Sequence, residues 1–195
     1  MKHYFLYLLL AAITLASCGN KKSDNQGADI SETRSDTSND ATTSAEDFKP
    51  EEGVKAQDFT LTDINGKEHK LSDFIGATKQ GRKHYILVDF WASWCQPCMM
   101  EMPNVKANWE LYRDQGFEVV GISLDKDKDA WQKAVKDNGY DWTQLSDLQS
   151  FDSPVAALYK LEFIPWNFIC DENGTIIATN LRGNELSAKL KELYM

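Results

Sequence analysis

Runs of hydrophobic residues alternate with amphipathic segments along most of the chain, and this predicts strands that alternate with helices. The apolar run 85–91, with the sequence YILVDFW, is typical of a strand that is buried on both faces. A helical pattern follows Cys98 and ends near Gly116. A second buried strand is predicted at 117–124. The order strand, helix, strand predicts a right-handed parallel crossover and the α/β class of fold.

Shorter patterns extend this organisation to both sides of the central segment. Apolar and polar residues alternate over 58–71 around Asn65-Gly66, which predicts a β-hairpin. The remaining predicted elements are a helix at 129–136, a strand at 142–145, a helix at 155–161, a strand that starts at Pro165 and includes Cys170, a strand at 175–178 and a helix at 185–193. We therefore predict one folded domain over residues 51–195.

The first 18 residues have the pattern of a bacterial lipoprotein leader. Lys2 precedes an apolar run that is too short to span a bilayer, and small residues follow it. The segment Leu15-Ala16-Ser17-Cys18 resembles a lipobox, in which the leader is removed and the cysteine is lipidated. A plain secretory signal with an incidental Cys18 is the alternative. We predict a signal peptide at 1–17 and lipidation of Cys18.

A polar segment separates this leader from the predicted domain. Residues 18–50 are rich in Ser, Thr, Asp and Asn and contain few apolar residues, so they lack the hydrophobic surface that would order them. As a flexible coil the segment would reach roughly 30 Å. We predict an exported protein on a lipid anchor in the cell membrane or the outer membrane, with its domain in the periplasm or cell envelope.

The charge of the chain argues against a nucleic-acid partner. The formal net charge is −9, the pI is near 4.8, and the basic residues form no cluster. A nucleic-acid-binding protein needs a basic face to neutralise phosphates.

Two cysteines stand at the junction between the central strand and the helix that follows it. In Cys95-Gln96-Pro97-Cys98, the unpaired N–H groups and the positive end of the helix dipole favour a thiolate on Cys95. Pro97 fits a first turn in which its missing N–H costs nothing. The two-residue spacing lets Cys98 attack a mixed disulfide formed on Cys95. The motif therefore predicts redox chemistry.

Zinc and haem attachment are the alternative interpretations of this motif. A structural zinc site needs four ligands, and with Cys18 assigned to lipid only Cys170, His69 and His84 remain, at spacings that fit poorly. Covalent haem attachment needs His directly after the second cysteine, where Met99 stands. We predict no metal site, and we predict Cys170 to be a buried, inert thiol among apolar neighbours.

The segment DFWASWCQPC resembles the thioredoxin signature, and its continuation CMMEMP resembles the C-x-x-C-x-x-E-x-P pattern of the TlpA/ResA group. The likeness extends from about Val54 to the C-terminus. It implies a thioredoxin-like fold, with a central mixed β-sheet flanked by helices and an N-terminal β-hairpin extension. It also implies a thiol:disulfide oxidoreductase that needs no cofactor besides its two cysteines.

The resemblance implies roles for two carboxylates. Asp89 interrupts the central apolar strand and matches an aspartate that assists proton transfer at the second cysteine. The lysine that partners this aspartate in thioredoxins is replaced by Gly121, so we expect the pKa of Asp89 to be raised by burial. Glu101 matches the active-site glutamate of the group. A hydrogen-bonded core aspartate, and an acid that only favours a helix start, are the alternatives.

The resemblance also implies a substrate-binding segment. Ile164-Pro165 matches the cis-proline of thioredoxin-like proteins, and the Ile164 backbone would pair with a substrate strand. Trp94, Gln96 and Pro97, which border the cysteines, are predicted to contact the substrate as well. Relatives often carry Thr after the proline, where this chain has Trp166.

The mechanism implied is reduction of exported protein disulfides, with electrons returned by a transmembrane thiol–disulfide carrier. Apocytochrome c is the best-known client of the group, which makes cytochrome c maturation one candidate process, although no residue of this chain identifies the client. A disulfide oxidase or isomerase, a thiol peroxidase and a redox-inert binding module are the alternatives. The peroxidase would need Thr three residues before Cys95, where Ala92 stands.

Overall fold

In a computed structural model that describes residues 48–76, 81 and 83–195, seven strands form one mixed sheet. They are β1 Thr60–Asp63, β2 Glu68–Lys70, β3 Tyr85–Trp91, β4 Phe117–Ser123, β5 Thr143–Ser146, β6 Trp166–Cys170 and β7 Ile176–Thr179. The helices are α1 Gln96–Tyr112, α2 Lys128–Asn138, α3 Pro154–Leu158 and α4 Asn184–Tyr194. The strand order is β2-β1-β5-β4-β3-β6-β7. The predicted signal peptide, Cys18 and most of the predicted tether lie outside the described residues.

The predicted central strand lies inside the sheet. β3 is paired with β4, which runs parallel to it, and with β6, which runs antiparallel. All seven residues of β3 are buried, as its apolar run predicts. Because β3 and β4 are parallel, their carboxyl ends lie at the same edge of the sheet. Cys95 follows the end of β3 at that edge.

The predicted N-terminal hairpin is also present. β1 is antiparallel to β2 and also pairs with β5, so the hairpin extends the sheet at one edge. Gly66 has a φ of 86°, which glycine adopts without a steric penalty. Oδ1 of Asp63 accepts hydrogen bonds from the N–H groups of Asn65 and Lys67 at 2.8 and 2.9 Å. This carboxylate holds the turn closed.

Two helical segments end at a glycine, as predicted, and one helix ends earlier than predicted. Gly116 ends the 3-10 turn after α1, and Gly139 ends α2, both with positive φ. α1 continues through Pro103. α3 ends at Leu158, three residues earlier than predicted, because Lys160 has a left-handed φ of 51° and turns the chain away from the helix. No helix among the described residues is both long and apolar enough to cross a membrane.

Two hydrophobic cores lie on opposite faces of the sheet because successive residues of a strand point to opposite faces. Leu87 and Trp91 of β3 pack in the first core, which also contains Cys95 and Cys98 together with residues of α1 and α4. Ile86, Val88 and Phe90 of β3 pack in the second core, with residues of the hairpin and of α3. Phe48 is fully buried in this second core. The two cysteines therefore sit at the rim of the first core.

Candidate active site

Cys95 and Cys98 are joined by a disulfide bond at the start of α1. Cys95 is the N-cap residue, and its Sγ accepts a hydrogen bond from the Cys98 N–H at 3.2 Å. Pro97 lies in the first turn, where no acceptor is left without its missing N–H. N–H groups at a helix start stabilise negative charge. When the disulfide is reduced, this position favours a thiolate at Cys95.

Cys95 and Cys98 differ slightly in the fraction of their surface that is exposed. Cys95 is 5% exposed and Cys98 is 1% exposed. Three residues predicted to contact the substrate, Trp94, Gln96 and Pro97, are all exposed, and Trp94 has 56% of its surface accessible. Cys95 is therefore the slightly more exposed of the two cysteines, and the exposed residues around it form the adjacent surface.

Two more large apolar side chains are exposed on segments that carry site residues. Met100 lies on the first turns of α1, and Phe163 precedes Ile164. Sequence reasoning did not identify either of them as a surface residue. An apolar residue on a helix or next to a strand is ordinarily predicted to be buried, and only the packing shows which ones face solvent.

Asp125 holds the loop that leads into Cys95. Its carboxylate accepts hydrogen bonds from the Ser93 N–H at 3.0 Å, the Ser93 hydroxyl at 2.6 Å and the Ser123 hydroxyl at 2.6 Å. Sequence reasoning missed this residue. The available signal was that Asp125 follows β4 as Ser93 follows β3, since parallel strands bring these two ends together.

Asp89 lies in the middle of β3, on the face of the sheet that carries the first core. It is 3% exposed, and burial raises the pKa of its carboxyl to about 7. The positive charge of Arg182 and a hydrogen bond with Asn167 oppose that rise. Oδ1 has no hydrogen-bond partner among the described residues. The expected rise in the pKa is confirmed, and a value near neutrality suits a group that takes up and returns a proton.

Gly121 lies beside Asp89 on β4, and Gln144 lies beside Gly121 on β5. A Cβ on Gly121 would approach Oε1 of Gln144 to 2.5 Å, so the amide of Gln144 occupies the space that a side chain would need. The same Oε1 accepts a hydrogen bond from the Trp91 indole N–H at 3.1 Å. The Gln144 amide therefore stands at position 121 where a lysine would project, and it carries no charge.

Glu101 joins the start of α1 to the turn before α4. Its Oε1 accepts hydrogen bonds from the Gly183 N–H at 2.8 Å and from Nδ2 of Asn104 at 2.7 Å. Its negative charge adds to burial in raising the pKa of Asp89. The structure therefore brings the two predicted carboxylates within electrostatic reach of each other.

The peptide bond between Ile164 and Pro165 is cis, as predicted. Pro165 is buried, and Ile164 is half-buried against the core that contains both cysteines. The Pro165 carbonyl accepts a hydrogen bond from Nη2 of Arg182. This segment leads into β6, which pairs with β3, so the central sheet sets its position relative to Asp89.

Trp166, the departure from the usual threonine, is half-buried at the start of β6. Its ring centroid lies 5.7 Å from that of Phe90 and 5.8 Å from that of Phe168. The ring therefore packs on the second core, which lies on the opposite face of the sheet from the core that contains the cysteines.

Cys170 lies away from this chemistry, on β6 and in the second core. It is completely buried, and burial raises the pKa of its thiol to about 12. The prediction of a buried thiol is confirmed. Within residues 48–76, 81 and 83–195, no group of three or more His, Cys, Asp or Glu side chains is arranged to hold a metal ion.

Comparison with proteins of known sequence agrees with this geometry. The model of the AhpC/TSA family matches residues 53–179. The thiol-disulfide oxidoreductase ResA of Geobacillus kaustophilus (strain HTA426) is 32% identical over 124 residues, which cover 64% of this chain and 66% of that protein. ResA of Bacillus subtilis (strain 168) is 29% identical over 126 residues, 65% of each chain. This chain thus spans about two thirds of the length of these relatives.

Solved structures agree as well. The thioredoxin domain of a thiol-disulfide oxidoreductase from Bacteroides vulgatus has a TM-score of 0.66 at 28% identity, covering 74% of this chain and 99% of that one. A thiol-disulfide oxidoreductase from Bacteroides fragilis NCTC 9343 has a TM-score of 0.63 at 33% identity, covering 72% and 99%. The predicted thioredoxin-like fold and relation to ResA are confirmed. The chain therefore belongs to the AhpC/TSA family and is a thioredoxin-like member of the thiol-disulfide oxidoreductase type.

Proposed function

We propose that the protein reduces disulfide bonds of exported proteins by dithiol–disulfide exchange at Cys95 and Cys98. The single observation that carries this proposal is the position of Cys95 as the N-cap of α1, with the Cys98 N–H directed at its sulfur. That geometry supports a reactive thiolate with a second sulfur placed to displace what it captures.

The exchange takes place in two steps. The Cys95 thiolate attacks one sulfur of the client disulfide, whose S–S bond breaks, and the other client sulfur leaves as a thiolate that takes up a proton. Cys98 then gives its proton to the Asp89 carboxylate and attacks the Cys95 sulfur. The mixed disulfide breaks, the client sulfur that was bound to Cys95 leaves as a thiolate and takes up the proton held by Asp89, and the protein holds the Cys95–Cys98 disulfide. Two electrons pass from the dithiol to the client.

The residues between the two cysteines support the reducing direction. Gln96 and Pro97 supply neither a cation nor a histidine between the cysteines. A less stabilised thiolate makes the dithiol a better reductant. A transmembrane thiol–disulfide carrier would return two electrons to the Cys95–Cys98 disulfide, since an exported protein has no access to cytoplasmic reductants.

The redox potential decides between this direction and its reverse. We expect equilibration with dithiothreitol buffers, followed by alkylation of the free thiols, to give a potential more negative than about −200 mV, and reduction of insulin disulfides to be accelerated. A potential near the roughly −120 mV of a strong oxidant would instead favour the oxidase. Peroxide consumption should be negligible, because the methyl group of Ala92 cannot donate a hydrogen bond to peroxide.

We also propose that Cys18 is lipidated and that the polar segment 18–50 holds the domain at the membrane surface. The support is the lipobox-like segment before Cys18 and the polar composition that follows it. A Cys18→Ala variant should lose labelling by radioactive palmitate. It should also leave the membrane fraction or accumulate as a precursor with an uncleaved leader. Cys170→Ala, the matched control, should stay in the membrane fraction. Equal labelling of both variants would refute lipidation at Cys18.

A further inference from the structure

The turn 180–183, between β7 and α4, is attached to the sheet beside Asp89. Asn167, which lies opposite Asp89 on β6, holds this turn through both ends of its amide. Its Oδ1 accepts from the Leu181 N–H, and its Nδ2 donates to the Leu181 carbonyl, each at 2.9 Å. The backbone N–H of Asn180 donates to the Asn167 carbonyl at 2.6 Å. The residue after Leu181 is therefore held close to Asn167, the residue that is paired with Asp89 across the two strands.

That residue is Arg182, and its guanidinium is only partly used by hydrogen bonds. Nη2 donates to the Pro165 carbonyl and, at 2.6 Å, to Oδ1 of Asn180. Nη1 is buried and has no hydrogen-bond partner among the described residues. A buried N–H group without an acceptor is unfavourable, so holding the Pro165 carbonyl does not by itself account for this arrangement.

Asp89 also has a buried polar atom without a hydrogen-bond partner among the described residues. Its Oδ1 is buried and has no partner in the described part of the chain, and position 121 beside it is closed by the Gln144 amide. Burial is the largest influence on the carboxyl and raises its pKa, and the charge of Arg182 is the largest influence that lowers it. Glu101 acts in the opposite sense to Arg182.

In the described part of the chain, the other groups that act on Asp89 carry no positive charge. Asn167, from β6, offers a neutral hydrogen bond. Tyr140, which follows α2, has a phenol whose pKa is raised by burial and further by the charge of Asp89. Glu101, from α1, is acidic, and its carboxylate is bound by the Gly183 N–H of the same turn. Among the described residues, Arg182 thus supplies the positive charge that acts on Asp89.

We propose that Arg182 is a positioning residue that sets the proton affinity of Asp89 and holds the carbonyl of the cis-proline through the same guanidinium. Its role in turnover rests on the proposed function, because it acts through Asp89, the group that receives the proton of Cys98. Its effect on Asp89 does not depend on turnover and can be measured in the oxidised protein at rest.

The test is a titration of the Asp89 carboxyl by carbon-13 NMR in the full-length oxidised protein, with the signal assigned from Asp89→Asn. Arg182→Met should raise the midpoint by about one pH unit, a tenfold gain in proton affinity. Arg182→Lys should bring it back to within a few tenths of a unit of the wild-type value. Arg113→Met, a control arginine that lies 4.8 Å over the Trp109 ring, should leave it unchanged.

Equal midpoints in wild type and Arg182→Met would overturn the proposal, as would a shift of the same size in Arg182→Lys. If the methionine variant does not fold, the same titration can be made with Arg182→Gln. Glutamine keeps amide donors but has no charge, so the Asp89 midpoint should rise in that variant as well. Absence of insulin reduction by the wild-type protein would refute the proposed function. The titration result would be unaffected by that outcome, so the two failures are distinguishable.

Discussion

Replacing Cys98 with serine is expected to lower the turnover of disulfide reduction about a thousandfold or more and to leave the protein covalently bound to its substrate. Cys95 can still attack, but no second sulfur remains to displace the client. The intramolecular attack, which benefits from a high effective molarity, is lost. Mass spectrometry under non-reducing conditions should detect the adduct with a disulfide-containing peptide.

Two cysteine variants make this result specific. Cys95→Ser should form no adduct and should lose reductase activity, because Cys95 is the sulfur at the helix start. Cys170→Ser should retain activity, since its thiol is fully buried on the opposite side of the sheet. An adduct on Cys98 in the Cys95→Ser protein, formed at the wild-type rate, would reverse the assignment of attacking and displacing sulfurs.

Replacing Asp89 with asparagine should stabilise the oxidised protein at pH 8 by about 4 kcal/mol relative to wild type, and this gain should vanish toward pH 4. The reason is the pKa of about 7 in the folded state against an ordinary value near 3.8. Between these values the folded protein keeps a proton on Asp89 that the unfolded chain has released. Stability therefore falls as the pH rises from about 4 to about 7, and above that the penalty is constant.

Urea unfolding at a series of pH values between 4 and 8 measures this difference. Asp141→Asn, which removes an exposed carboxylate, is the matched control and should follow the wild-type curve. A constant difference between Asp89→Asn and wild type across the range would show that Asp89 ionises normally. The same variant should slow reduction at neutral pH, since it removes the proposed acceptor of the Cys98 proton.

The stability penalty and the proposed chemistry have one cause. A carboxylate in the middle of a buried strand is unfavourable, and a chain selected for stability alone would have an apolar residue there. Sequence reasoning identified Asp89 for this reason, as the polar residue that breaks an apolar run. A polar residue that interrupts a buried apolar strand is a position at which a functional group is expected.

Local pattern was enough to predict most of the architecture. The bounds of β3, the turn at Asn65-Gly66 and the glycines that end two helices follow from periodicity and backbone preference, which act within a few residues. The placement of Cys95 at the start of α1 follows from the same signals, because the strand pattern stops and the helix pattern begins there. The burial of Cys95, which keeps only 5% of its surface exposed, was not predictable in the same way.

The tertiary structure decided which distant polar groups of the site meet. Glu101 meets Gly183 across 82 residues, and Ser93 meets Asp125 across 32. The apolar pattern reports which positions are buried, but strand order and register determine which buried polar groups meet. The sequence therefore indicated that Asp89 lacks a cation at position 121, and the folded chain brings Arg182 to it from the turn before α4, because β6 and β7 return that turn to the side of β3.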